Sequence, residues 1–172
     1  HMNWLPKLAD DMYYEYLGYA QHFEGWGNFA FNLTYFNMGE QSITNSTSPE
    51  ILGTFSSFEL MASGSYGTTM TDNFSLGLTL KAVYSKLADQ GQEAEKGKGV
   101  GSTFALDVGA MYKTPVKGLT LGAAIHNIGP KISYIDVSQA DPLPLNFVLG
   151  VAYTPIESEF NRLMFVADIY KP

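Results

Sequence analysis

Asn73-Phe74-Ser75-Leu76-Gly77-Leu78-Thr79-Leu80-Lys81-Ala82-Val83-Tyr84 is the stretch whose reading decides the fold. Phe74, Leu76, Leu78, Leu80, Ala82 and Tyr84 fall on one side of it, and Ser75, Gly77, Thr79, Lys81 and Val83 on the other. A period of two is the signature of a β-strand with one apolar face. Working outward, the same alternation recurs from Phe104 to Tyr112, from Leu145 to Tyr153 and from Leu163 to Tyr170. Four further strands read less cleanly, at Met12–Phe23, Trp26–Met38, Phe55–Tyr66 and Leu119–Ile128, which makes eight.

The second face of these strands separates a membrane barrel from a soluble sandwich or a lipocalin-like barrel. A soluble sheet exposes Lys, Glu, Arg and Thr on its polar side. Here that side is mostly Gly, Ala, Ser, Thr and Asn, which suits a lumen while the greasy side suits lipid. Connection lengths alternate as well. Phe23–Trp26, Gly67–Asn73, Lys113–Gly118 and Ile156–Asn161 are short, whereas Gly39–Thr54, Ala88–Ser102 and Gly129–Pro144 are long. In an up-and-down barrel all short turns then share one rim and all long loops the other, as in outer-membrane barrels. Aromatic residues gather near both rims: Trp26, Tyr66, Phe74, Tyr112 and Tyr153 at the short turns, and Tyr35, Tyr84, Phe104 and Tyr170 at the long loops. The predicted fold is all-β, an antiparallel up-and-down transmembrane β-barrel with eight strands in this chain. Phe58, Leu60, Leu78, Leu106, Leu121, Phe147 and Phe165 are expected to face outward, not into a fatty-acid pocket.

Composition narrows the function classes. A net charge of −7 with ten Lys and Arg leaves no basic stripe for a phosphate backbone, so nucleic acid is not an expected partner. With no Cys there is neither a disulfide framework nor a thiolate metal site, and His22 and His126 have no ligand-spaced partner. The four glycines of 88–101 are not a phosphate loop, because no GKS or GKT and no helix follow them. Neither a cofactor nor a metal is expected. His1-Met2 reads as a tag or cloning scar, and residues 3–172 as a single barrel region. If the short turns are periplasmic, the first strand begins and the eighth ends on the extracellular side. Outer-membrane barrels keep both ends in the periplasm, so the chain is expected to be an internal piece of a larger barrel.

With this topology the wording of strand ends and loops becomes recognisable. Leu8-Ala9-Asp10-Asp11-Met12-Tyr13-Tyr14-Glu15-Tyr16-Leu17-Gly18-Tyr19, Met38-Gly39-Glu40-Gln41 and Leu52-Gly53-Thr54-Phe55 resemble the PorV group of outer-membrane proteins. So do Glu95-Lys96-Gly97-Lys98-Gly99, Asn127-Ile128-Gly129-Pro130-Lys131-Ile132 and Gln139-Ala140-Asp141-Pro142-Leu143-Pro144-Leu145-Asn146. That group is similar to FadL-type barrels of about fourteen strands. The resemblance implies an outer-membrane part of the type IX secretion system of Bacteroidetes-like bacteria, not an enzyme. It would bind secreted cargo through the cargo's C-terminal domain and hand it from the translocon to the surface attachment machinery. Its partners would be secretion-system proteins and cargo C-terminal domains, with lipid or detergent around the barrel. The chain would lack the family's N-terminal plug, its first strands and its C-terminal strands. A FadL-like transporter of hydrophobic small molecules is the alternative, since fold kinship does not separate the two.

Two sets of residues are candidates for function. Glu93, Glu95, Lys96 and Lys98 in one long loop, and Lys131, Asp136 and Asp141 in another, could contact partners. Pro130, Pro142 and Pro144 stiffen the second loop, which could present a surface, cap the rim or fold inward to narrow the lumen. Lys81, Asp107, His126, Arg162 and Asp168 fall on the polar face, where charges must pair or meet water, and are expected to form a lumenal network. Catalysis would use His126 with a carboxylate and a Ser, but Leu121, Ala123 and Ile125 hold the lipid side and point His126 away from an acyl chain. Finally, the edge strands Met12–Phe23 and Arg162–Lys171 run antiparallel in an even-stranded sheet, so they are expected to pair and close a small barrel.

Overall fold

The computed structural model describes residues 2–5, 9–44, 51–88, 99–134 and 137–172. They form one curled antiparallel sheet, a half-barrel in which each strand pairs with its neighbours in sequence. The strands are β1 (Met2–Leu5), β2 (Ala9–Phe23), β3 (Gly27–Thr44), β4 (Ile51–Thr71) and β5 (Phe74–Ala88), followed by β6 (Gly99–Lys113), β7 (Leu119–Ile128), β8 (Asn146–Glu157) and β9 (Arg162–Lys171). All eight anticipated strands are present. The additional β1 pairs Met2 with Tyr14, so Met2 is part of the ladder.

Cross-strand register sorts the side chains onto two faces, because directly opposed residues share a face. One row runs Phe29, Tyr66, Leu78, Val108, Ile125, Phe147. The row beside it runs Asn28, Gly67, Gly77, Gly109, Ala124, Val148. The buried residues Thr34, Ser57, Ser63, Ser85 and Ala105 all belong to the second set, which is therefore the concave, inner face. Among the described residues only Ala105 and Ile132 are buried apolar side chains, whereas Leu80, Phe104, Leu149 and Ile169 stand exposed on the convex face. A sheet that leaves its apolar face uncovered by protein is what a bilayer completes.

Ring contacts mark both ends of that apolar band. Tyr13, Tyr35, Phe58 and Tyr84 form a chain across β2–β5 with centroid separations of 6.0, 5.6 and 5.9 Å. Near the short turns Phe23, Phe29 and Tyr66 are spaced by 5.6 and 4.9 Å, and the Tyr66 hydroxyl donates to the Trp26 carbonyl at 2.6 Å. From Phe74 to Tyr84 along β5 is roughly 33 Å of strand, which a barrel tilt of about 40° shortens to roughly 25 Å, the height of a barrel's apolar band. Tyr170 departs from the anticipated girdle: it pairs with Val148 and so belongs to the inner face.

Two expectations are corrected. The connection 39–54 is mostly ladder, because β3 and β4 stay paired as far as Thr44 and Ile51 and are 18 and 21 residues long. A bilayer crossing needs only about 9–11 residues, so this hairpin continues well past the band. Likewise β5 and β6 remain paired out to Ala88 and Gly99. The second correction concerns closure: β9 pairs with β8 alone among the described residues, and the sheet is open. An eight-stranded barrel has an interior just wide enough for side chains. This interior also holds part of the 129–145 connection, whose Ile132 is buried, and that demands a wider curl.

Candidate functional site

The site forms where β6 and β7 fall out of step. Leu106 pairs with Ile128 and Val108 with Ile125, so one residue of β6, Asp107, faces two of β7, His126 and Asn127. This is a β-bulge, and Asn127 adopts a φ of 63°, a left-handed conformation that Asn tolerates better than most side chains. The bulge frees the Asn127 amide from the ladder, and it donates instead to Asp107 Oδ1 at 2.9 Å. Lys81 Nζ, reaching across from β5, lies 2.7 Å from the same oxygen. His126 Nδ1 lies 3.1 Å from Asp107 Oδ2, where a protonated Nδ1 donates to the carboxylate.

Lys81 and Asp107 are 14% and 18% exposed, so their desolvation must be offset by bonds in place. Asp107 meets three donors, and Lys81 also donates to Asn127 Oδ1 at 2.6 Å. The Asn127 amide nitrogen Nδ2 then donates to the Pro144 carbonyl at 2.9 Å. Every polar group of the Asn127 side chain is thus engaged, one toward the wall and one toward the far end of the 129–145 segment.

That segment folds inward along β6. Thr103 Oγ1 donates to the Pro130 carbonyl at 3.2 Å, and Ile132 and Asp141 exchange backbone hydrogen bonds of 2.9 and 2.8 Å. Ile132 is 8% exposed and sits over Gly101, where a Cβ would come within 2.9 Å of its Cγ1. Glycine at 101 is required by this close approach.

Of the five charged residues expected on the inner face, Lys81, Asp107 and His126 come together. Arg162 instead stands at the short-turn end of β9, 3.6 Å from Glu157, with both side chains about two-thirds exposed. Asp168 lies on the inner face opposite Gly150 on β8. Its strand is two places from β7, roughly 10 Å away at normal strand spacing, beyond reach of the cluster. Lys131 and Asp141 are exposed on the inward segment. Glu93, Glu95, Lys96, Lys98 and Asp136 lie outside the described residues. His126 is on the inner face opposite Asn146. The hydroxyl of Thr79, which pairs with Asp107 in the ladder, is tied to Ser65 Oγ at 2.8 Å.

Sequence reasoning missed Asn127 and Pro144, although an Asn ahead of Gly129-Pro130 at a strand end is a recognisable signal for a left-handed residue. It also missed a second inner region. On β2–β5, Met12, Tyr14, Phe36, Met61 and Val83, with Thr34 and Glu59, line an apolar hollow of about 600 Å³. Ser85 Oγ donates to Glu59 Oε1 at 3.1 Å, Gln41 Nε2 to Ser57 Oγ at 3.3 Å and Ser57 Oγ to the Leu87 carbonyl at 2.7 Å, tying β3, β4 and β5 together beside it. The signal was the weak alternation of Met12–Phe23 and Phe55–Tyr66, where both faces carry large apolar residues.

Comparison with known proteins gives one positive finding. The family model described as Type IX secretion system protein PorV matches residues 1–172, the whole chain. No curated protein matches it significantly.

Proposed function

The chain belongs to the PorV family, outer-membrane components of the type IX secretion system and not a known enzyme family, and on that premise we propose that it is a cargo shuttle. In this reading it binds the C-terminal domains of secreted proteins and passes them from the translocon to the attachment machinery at the cell surface. The family match along the entire chain carries the proposal. The tall β3–β4 hairpin and the other connections at the same rim supply the surface on which cargo would be met. Glu93, Glu95, Lys96, Lys98, Lys131, Asp136 and Asp141 are the charged groups we assign to partner contact there. The lipid-facing role falls to the apolar convex face.

A second reading is favoured by one observation, the apolar hollow on the inner face of β2–β5, which has the size and lining to take an aliphatic chain. It would make the protein a FadL-like transporter of hydrophobic small molecules. Affinity purification of the full-length protein from native envelopes separates the two. Co-recovery of translocon subunits and cargo C-terminal domains is the expected result. Recovery of a fatty acid or hydrocarbon with no secretion partner would overturn the shuttle and leave the transporter.

A further inference from the structure

The 129–145 segment is built unlike a solvated loop. Its entry at Asn127 and its exit at Pro144 are stitched together by one hydrogen bond of 2.9 Å, and the same Asn127 is anchored to the wall by Lys81 and Asp107. Its start is pinned by Thr103, and its apolar Ile132, paired with Asp141 across the segment, fills the space left by Gly101. Polar feet and the apolar Ile132 therefore hold it against the concave side of the sheet, at the long-loop end. Pro130, Pro142 and Pro144 lower the number of conformations it can adopt once released. Nothing in a lipid-exposed wall needs such a piece inside the curl, since the strands already satisfy one another's backbone groups.

The geometry points to a gate: this strap closes the long-loop mouth of the lumen to ions and small hydrophilic solutes, and the Lys81–Asp107–Asn127 cluster is the latch that holds both its feet. The inference rests on the reading of the chain as an outer-membrane barrel. Because Asp107 anchors Asn127 and Asn127 alone carries the bond to Pro144, loss of Asp107 should free entry and exit together, whereas loss of the Ile132 seat should free only that apolar contact. The bond between Asn127 and Pro144 would keep the strap a closed loop during the second kind of movement.

Ion conductance of the full-length protein in planar bilayers, with potassium chloride as the probe, tests this. Asp107→Asn and Asn127→Ala should each raise the mean conductance several-fold over the unaltered protein. Gly101→Val, which evicts Ile132 and leaves the latch intact, should raise it by a smaller factor, and it keeps the test decisive if the latch variants fold poorly. In a chain with no cysteine of its own, Gly101→Cys with Ile132→Cys provides a reversible lock. Oxidising that pair in the Asp107→Asn background should return conductance to the unaltered level, and reduction should raise it again. Unchanged conductance in Asp107→Asn, Asn127→Ala and Gly101→Val, each running as a heat-modifiable barrel from the outer membrane, overturns the gate. If the unaltered protein itself yields no such barrel, the membrane reading fails and the gate falls with it, a result the gel shows before any current is recorded.

Discussion

Two connections of nearly equal length, 39–54 and 129–145, leave the same rim of the sheet and end in opposite places. The first continues as a β-ladder to Thr44 and Ile51, whereas the second leaves the ladder at Ile128 and turns onto the inner face. Composition explains the split. Gly39 to Thr44 and Ile51 to Thr54 keep every backbone donor and contain β-branched residues that suit a ladder. In 129–145, Pro130, Pro142 and Pro144 remove donors at both ends, and the described pairing is limited to the single Ile132–Asp141 bridge. Side chains then supply the missing bonds, and Asn127 and Thr103 do so from the inner wall. Loop length alone says little about where a loop goes.

The largest expected effect lies at the foot of the inward segment. Asp107→Ala strands Lys81 and the Asn127 amide in a mostly buried position, and breaking such a pair should cost about 3 kcal/mol or more. Urea unfolding in detergent reads this directly. A loss below about 0.5 kcal/mol, typical of a surface charge, would mean the foot does not hold the segment.

Next comes the base of the upward hairpin. Gly39 has a φ of 80° at the register shift between β3 and β4, and a Cβ there would clash with the Asp11 carboxylate. Asp11 Oδ2 also accepts from the Glu40 amide at 2.6 Å. Gly39→Ala should therefore cost about 1–3 kcal/mol and raise proteolysis within the hairpin, with the strap unaffected. Cleavage rising equally in both connections would show that the two are coupled and not independently held.

A smaller effect is expected from the prolines. Pro142→Ala should lower stability by about 0.4–1 kcal/mol through the unfolded chain, without moving the strap off Gly101. A thermal scan paired with crosslinking of the Gly101→Cys and Ile132→Cys pair checks both halves of that statement. The smallest belongs to Arg162→Ala. Its partner Glu157 is 3.6 Å away in solvent, and the change should stay within about 0.5 kcal/mol of the unaltered protein. A loss like that of Asp107→Ala would place Arg162 back in the inner network.

Legibility followed the strength of alternation. Phe74–Tyr84 and Phe104–Tyr112 showed their faces because small or polar residues separate the large apolar ones, and the ladder keeps those faces throughout. In Met12–Phe23 and Phe55–Tyr66 the separation blurs, and the apolar hollow on the inside went unread for that reason. Tyr170 was misplaced because its position near a rim was weighed above its parity. Lys81, Asp107 and His126 could be put on one side of the sheet by counting in twos, but counting says nothing about distance between strands. Arg162 and Asp168 share their parity and lie apart from them.

By itself, the order of residues determined eight of the nine strands, their antiparallel succession, the faces of the clearly alternating ones and the rim to which the connections between them belong. These are local properties, set by a period of two and by turn length. Tertiary structure alone decided the curvature, the open edge at β9 and the union of Lys81, Asp107 and Asn127. Those features depend on a one-residue bulge between β6 and β7 and on what the concave side must enclose, and both exist only once separate strands have met.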